Sequence, residues 1–121
     1  MVSAWGMTSE TASDGNEALV KLADLRSRAA NVKAGGNIQF NPGWHLALDL
    51  SNMLDISEAV VRAAQLRQES RGAHTREDFP DASADWAKVN LVVRQTPAGI
   101  GVEKVPLPPL PAELEAIVKA K

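Results

Sequence analysis

Residues 66–81, LRQESRGAHTREDFPD, contain the densest group of ionisable side chains in this sequence. His74 has a pKa range suited to proton transfer, and Arg71 and Arg76 can each bind a carboxylate through two hydrogen bonds. With Asp78, these side chains are of the types that proton transfer and anion binding require. The passage is therefore the first candidate for an active site.

The spacing of these groups argues against catalysis. Neighbouring residues on one extended strip do not converge on a substrate unless other elements contribute groups, and the rest of the sequence offers no complementary acid, base or nucleophile. We therefore predict no catalytic residue in this chain. A structural or interface motif, in which arginines pair with carboxylates or carbonyls across a domain boundary, is favoured instead.

Composition excludes several other kinds of site. The chain has no cysteine, so disulfides, thiolate zinc sites, iron–sulfur ligation and thiol catalysis are excluded. Neither GxGxxG nor GxxxxGK[ST] occurs, which argues against a nucleotide-binding fold. The net charge is −2 and the charges are interspersed, so no nucleic-acid partner is expected. We predict no metal site and no cofactor site here.

A first helix is predicted over residues 13–36. Asp14 can serve as its N-cap, with Glu17 completing a capping box, and Gly35-Gly36 is expected to end it. Its apolar residues recur at helical spacing, which is typical of a helix that packs one face on a core.

A second and longer helix is predicted over residues 41–72. Asn41 is its expected N-cap, Pro42 occupies the first helical position, and Gly72 is its expected C-terminal stop. The helix is apolar around more than one face, so we expect it to be central. Asp55 and Glu58 share a face of this helix and are expected to be solvated.

A β-hairpin is predicted after the polar passage. Val89, Leu91 and Val93 alternate with other residues, residues 97–101 read as a turn, and residues 102–107 can pair back. A stiff polyproline connector (106–111) and a short helix (112–121) follow. The predicted fold is mainly α, a helical bundle (1–72) with the polar strip, hairpin and tail (73–121) packed on it as one domain.

No signal peptide is expected at the start of this sequence. Residues 1–10, MVSAWGMTSE, have neither a basic nor an apolar signal region, and no apolar run approaches the ~20 residues of a membrane span. We expect a soluble, cytoplasmic protein.

The polar passage and its surroundings resemble the C-terminal region of the succinate dehydrogenase/fumarate reductase flavoprotein subunit. ESRGAHTREDFP (69–80) carries the resemblance, with NPGWHLALDLSNMLDISEAVVRAA (41–64) before it and DWAKVNLVVR (85–94) after it. Residues 15–32 are similar to an earlier helix of that region, and residues 5–7 to the end of a preceding one. The matching motif positions are Glu69, Ser70, Arg71, Gly72, His74, Arg76, Asp78, Phe79 and Pro80.

The resemblance implies a spectrin-repeat-like helical bundle that packs against the flavin-binding and capping domains of a longer subunit. In that family, covalently held FAD takes a hydride from succinate or gives one to fumarate, and electrons pass to an iron–sulfur subunit. The complex lies at the inner face of the cytoplasmic membrane. The flavin-linking, dinucleotide-binding and substrate-binding motifs have no matching positions here. The nine matching residues are therefore expected to organise the junction with the flavin-binding domain or the iron–sulfur subunit.

The resemblance thus implies that the chain is a non-catalytic domain excised from a longer subunit. Its exposed apolar surface is expected to allow self-association. Arg71→Ala should then impair assembly of the whole enzyme more than folding of this domain. Two alternatives stay open: a free-standing helical protein-interaction module, and the C-terminal domain of an L-aspartate oxidase. The physiological direction, succinate oxidation or fumarate reduction, is also open.

Overall fold

The structure, a computed structural model, describes residues 12–120 of the chain. Its regular elements are the helices α1 (Ala12–Ala29), α2 (Pro42–Leu66) and α3 (Ala112–Lys119), the strands β1 (Val89–Thr96) and β2 (Gly99–Pro106), and a 3-10 turn at Trp86–Lys88. The predicted similarity at residues 5–7 lies outside the described residues. The predicted mainly α fold, with a hairpin and a short terminal helix, is confirmed.

Helix α1 differs from its prediction at both ends. Asp14 lies inside the first turn of the helix, so its assignment as N-cap was wrong. Its negative charge interacts favourably with the positive N-terminal end of the helix dipole. The helix ends at Ala29, before Gly35-Gly36. The amide of Asn31 donates to the Ser27 carbonyl (3.2 Å), and this local hydrogen bond satisfies a C-terminal carbonyl before the glycines are reached.

Helices α1 and α2 pack antiparallel. The Gln65 side chain donates to Asn16 (3.0 Å), while Arg26 binds Asp55 (2.6 Å) further along the pair. A Cβ atom at Gly15 would collide with the Gln65 side chain, so glycine at this position lets the two helices approach closely.

Helix α2 begins where the sequence predicts. The Asn41 side chain accepts a hydrogen bond from the Gly43 N–H (3.0 Å), which confirms the N-cap. The helix ends at Leu66, so the predicted stop at Gly72 was wrong. Arg67 is already extended, and the carbonyls left open in the last helical turn are satisfied by a side chain from further along the chain.

The hairpin forms as predicted, but its turn is shorter. β1 pairs antiparallel with β2 in a register that runs from Val89 opposite Pro106 to Thr96 opposite Gly99. Only residues 97 and 98 connect the strands. Residues 99–101 belong to β2, and Gly99 adopts a positive φ of 110° at the strand's first position. The hairpin packs against α2.

The apolar core of the described part of the chain is small. Leu54 on α2 and Trp86 before β1 are its buried apolar side chains, 6% and 9% exposed. α2 contacts both α1 and the hairpin, which agrees with its expected central place. Its remaining apolar face, however, stays in contact with solvent. None of the described helices is long and apolar enough to cross a membrane.

Candidate functional site

The polar passage folds into a compact loop, which differs from the extended strip expected from the sequence. The backbone N–H of Arg71 donates to the His74 carbonyl (2.8 Å), and the N–H of His74 donates back to Arg71 (3.1 Å). Gly72 stands between them with a φ of 60°, a conformation that glycine adopts without steric cost. The Ser70 N–H donates to Asp81 (3.1 Å), which closes the base of the loop.

Glu69 lies at the centre of the first charged group of this loop and is fully buried. Arg71 donates to both of its carboxylate oxygens, each at 3.0 Å. Arg67 donates to Oε1 at 2.6 Å and the Ser83 backbone N–H to Oε2 at 2.8 Å. Four donors therefore surround one carboxylate, which is how a buried charge is normally accommodated.

These donors make Glu69 a strong acid. The hydrogen bonds from Arg71 lower its pKa, burial opposes them, and the Ser83 N–H and Arg67 lower it further, to about 2. The pKa of the Arg71 guanidinium is raised by the same pairing with Glu69. Glu69 is thus ionised at neutral pH with its oxygens occupied by donors, which is unsuitable for a general base.

Arg76 forms the second charged group and is 2% exposed. Its guanidinium binds both oxygens of Asp78, with Nε to Oδ1 at 2.7 Å and Nη2 to Oδ2 at 2.6 Å. The remaining nitrogen, Nη1, donates to the carbonyls of Ala64 (3.0 Å) and Gln65 (3.1 Å) in the last turn of α2. The positive charge of Arg76 also interacts favourably with the negative C-terminal end of the α2 dipole. Arg76 therefore caps α2.

Other predicted residues complete or border the loop. The Ser70 hydroxyl accepts from the Arg76 N–H (2.8 Å) and donates to the Phe79 carbonyl (2.9 Å). His74 Nε2 lies 3.2 Å from the Arg67 carbonyl oxygen. The Phe79 ring lies 5.2 Å from the guanidinium carbon of Arg76 and is 36% exposed, and Pro80 is exposed. The loop thus has charged groups inside and an aromatic and a proline at its surface.

The structure adds three residues that the sequence analysis did not select. Ser83 holds Glu69 through its backbone N–H, a group that no side-chain pattern reveals. Arg67 contacts both Glu69 and the ring of the buried Trp86, whose centroid is 5.4 Å from the guanidinium carbon. The Lys104 ammonium lies 3.7 Å from the same centroid. Arg67 was visible in the polar passage, but nothing nearby in sequence linked it to Trp86.

The acidic pair on α2 is partly solvated, as expected, but both carboxylates are also ion-paired. Arg26 of α1 donates to Asp55 (2.6 Å) and to Glu58 (3.0 Å), and Arg62 also donates to Glu58 (2.8 Å). This network joins the two helices at their surface, where the Asp55 side chain stays 56% exposed and the Glu58 side chain 19% exposed.

The charged groups of the loop serve the fold. The polar atoms of Glu69 and the guanidinium nitrogens of Arg76 are engaged by partners within the chain. No group of three or more His, Cys, Asp or Glu side chains suited to a metal ion occurs within the residues that the structure describes. Whether the nine motif residues also form an interface stays a prediction. For Arg71, which gives Glu69 two of its hydrogen bonds, we now expect an effect on folding of the chain itself.

Comparison with known proteins identifies similar sequences. The sequence matches the family described as fumarate reductase flavoprotein C-term over residues 7–116. A succinate dehydrogenase flavoprotein subunit of Rickettsia felis is 35% identical over 104 residues, which are 83% of this chain and 17% of that protein. The fumarate reductase flavoprotein subunit of Mycobacterium tuberculosis is 38% identical over 60 residues, 50% of this chain and 10% of that protein.

Solved structures share the fold. Mycobacterium smegmatis Sdh1 in complex with UQ1 matches 89% of this chain and 19% of its own, with 40% identity and a TM-score of 0.75. FrdA of Escherichia coli quinol fumarate reductase has a TM-score of 0.74 at 24% identity and covers 85% of this chain and 19% of its own, which supports the fold alone. The chain thus spans less than a fifth of these relatives. Since the family match extends over residues 7–116, the chain belongs to the C-terminal domain family of succinate dehydrogenase/fumarate reductase flavoprotein subunits.

Proposed function

We propose that this domain belongs to a flavoprotein subunit that interconverts succinate and fumarate by hydride transfer with FAD, and that its own residues provide packing and subunit contacts. One observation carries the proposal: in this chain, which belongs to the family, the charged side chains of the loop are paired with each other and with the backbone. Glu69 and Arg76 are buried and bound to partners of the chain itself. Groups held in this way preserve a shape and have no free position for a reacting molecule.

The residues described here do not fit an FAD site. A dinucleotide site of the usual kind needs a strand, a glycine-rich turn and a helix N-terminus in direct succession. Among the described residues, α2 and α3 do not follow a strand in this way: the loop of residues 30–41 precedes α2, and a polyproline connector separates β2 from α3. FAD would therefore be held by other parts of the intact subunit, and no step of its chemistry is assigned to residues of this chain.

The two layers of the loop would have different tasks. Glu69 and Arg76 fix the path of the backbone from inside. Phe79, Pro80 and the partly exposed Arg71 then form the outer surface that contacts the flavin-binding domain or the iron–sulfur subunit. An aromatic and an arginine at the rim of a rigid loop are residue types enriched at protein interfaces.

The intact complex would lie at the inner face of the cytoplasmic membrane, with electrons passing from FAD to the iron–sulfur subunit. The names of the relatives, succinate dehydrogenase and fumarate reductase, support this assignment over an L-aspartate oxidase or a free-standing interaction module.

The purified chain tests the proposal at its simplest. It should lack the flavin absorbance band after incubation with FAD and should not reduce a dye with succinate or with aspartate. A yellow protein, or dye reduction above a heat-denatured control, would overturn the assignment of this chain as a non-catalytic domain.

A further inference from the structure

Two cations lie over the indole ring of the buried Trp86. The guanidinium carbon of Arg67 is 5.4 Å from the ring centroid, and the ammonium nitrogen of Lys104 is 3.7 Å from it. Both distances are within the ~6 Å at which a cation is attracted to the negative face of an aromatic ring. Arg67 directly follows α2 and Lys104 belongs to β2, so the ring joins the end of the helix to the hairpin.

The two cations differ in their negative partners. Arg67 donates to the buried Glu69 at 2.6 Å, so a carboxylate offsets its positive charge. Lys104 is paired with no carboxylate among residues 12–120. Two cations without a nearby negative charge would repel each other across one ring. The contact of Lys104 with Trp86 therefore depends on the charge of Glu69.

Ser83 connects the same carboxylate to the backbone that carries Trp86. Its N–H donates to Oε2 of Glu69 at 2.8 Å. Its hydroxyl accepts from the backbone N–H groups of Asp85 (3.3 Å) and Trp86 (3.5 Å), at the start of the 3-10 turn. The backbone of Trp86 is thus positioned by the group that also supplies the negative charge near its ring.

Lys104 is held at the ring by attraction rather than by close packing. Its side chain is exposed, and a cavity of about 190 Å³ is lined by Asp85, Trp86, Val89 and Lys104. The ammonium group therefore has room to leave the ring. Its positive charge decides whether it stays, because a neutral side chain would lose the attraction to the ring face.

We propose that the hairpin and the charged loop are coupled through this ring. The Trp86 link consists of Glu69, Arg67, Trp86 and Lys104, in that order. By thermodynamic reciprocity, a change that rigidifies or releases one end of the link does the same to the other end. A partner that binds at the hairpin would therefore rigidify the loop around Glu69. The inference concerns the chain itself and does not depend on the activity proposed for the intact subunit.

Amide hydrogen exchange in the 121-residue chain tests the coupling from the hairpin side. Lys104→Met removes the charge and keeps a long, straight side chain. The Ser83 N–H should then exchange at least ~5-fold faster, although no hydrogen bond joins it to Lys104. The Leu54 N–H in the middle of α2 should keep its rate within about 2-fold. Equal acceleration of both amides would show general destabilisation and overturn the coupling, as would an unchanged Ser83 rate.

Lys88→Met is the matched control for loss of a lysine charge near the hairpin. Lys88 directly precedes β1, its side chain is 73% exposed, and its ammonium pairs with Asp85 at 3.3 Å. Breaking this exposed pair should change the exchange rate of the Ser83 N–H by less than about 2-fold. Acceleration equal to that in Lys104→Met would mean that any nearby positive charge suffices, and the proposal would fail.

Nuclear magnetic resonance tests the coupling from the opposite end. An aromatic ring shifts the resonances of protons above its face upfield, so the Cε protons of Lys104 should be shifted upfield in the unmodified chain. Glu69→Gln leaves Arg67 without its carboxylate, and the upfield shift of Lys104 should fall by at least about half. An equal shift in folded Glu69→Gln, or none in the unmodified chain, would contradict the link. If Glu69→Gln does not fold, the exchange rates in Lys104→Met decide alone.

Discussion

Arg76 and Asp78 form a paired set of hydrogen bonds, with Nε to Oδ1 at 2.7 Å and Nη2 to Oδ2 at 2.6 Å, at the C-terminal end of α2. This pair orients the third guanidinium nitrogen toward the open carbonyls of the helix. A side chain ten residues beyond the last helical residue thereby ends the helix and holds the loop that follows. The geometry gives the charges of this passage partners within the fold, which accounts for their density.

Replacing Arg76 should destabilise the chain strongly. Arg76→Ala removes the pair with Asp78 and the donor to two α2 carbonyls, so the free energy of unfolding should fall by about 3 kcal/mol, as for a broken buried ion pair. Urea unfolding followed by circular dichroism measures this. The control is Arg28→Ala, which removes an exposed (i, i+4) pair with Asp24 at 3.7 Å and should change stability by less than about 0.5 kcal/mol. Equal effects of the two changes would contradict the capping role.

Arg71 should matter for folding as well as for any interface. Arg71→Ala leaves the buried Glu69 with two fewer hydrogen bonds, so the urea midpoint should fall. Arg71→Lys keeps the charge but loses the two-pronged geometry, so its midpoint should lie between those of Arg71→Ala and the unmodified chain. An unchanged midpoint for Arg71→Ala, with loss of assembly in a longer subunit, would restore the pure interface interpretation.

Stability should depend on pH through Glu69. Its pKa is lowered from 4.5 to about 2 in the folded chain, so the unfolded chain binds the proton more readily. The stabilisation is therefore present above pH 4.5 and is lost as the pH falls from about 4.5 toward 2. Urea midpoints measured between pH 7 and pH 3 should fall. Glu69→Gln should be less stable at pH 7 and should show a weaker fall. A parallel fall in both proteins would assign the effect to other carboxylates.

Gly72 and Gly35 provide a matched test of the loop conformation. Neither glycine has an atom within 4 Å of the position that a Cβ would take, but only Gly72 of the two has a positive φ, at 60°. Gly72→Ala should therefore cost about 1 kcal/mol through backbone strain alone. Gly35→Ala should be neutral or slightly stabilising because it restricts the unfolded chain. Thermal unfolding of the two variants would contradict the assigned turn if their order were reversed.

Much of the fold was predicted from patterns among residues that are close in sequence. The predictions that were wrong depended on contacts between residues that are far apart in sequence. Asn41 and Pro42 mark the start of α2 because capping is local. The end of α2 depends on a hydrogen bond from Arg76. The burial of the Glu69 carboxylate depends on a hydrogen bond from the Ser83 backbone N–H, 14 residues away. Gly72 indicated a special backbone position correctly, but it belongs to a tight turn rather than to a helix end.

The most direct test of the central claim is a domain exchange. The flavoprotein chain of Mycobacterium smegmatis Sdh1, 40% identical over the matched region, would carry this chain in place of its own C-terminal region. The matching region of the Rickettsia felis protein would serve as the positive control. The measurement is succinate-dependent dye reduction per bound flavin in the purified complex. We predict activity within about tenfold of the control and none with aspartate, and Arg76→Ala in the exchanged domain should reduce the yield of assembled complex. An exchanged flavoprotein that folds but neither assembles nor oxidises succinate, beside an active control, would contradict the claim.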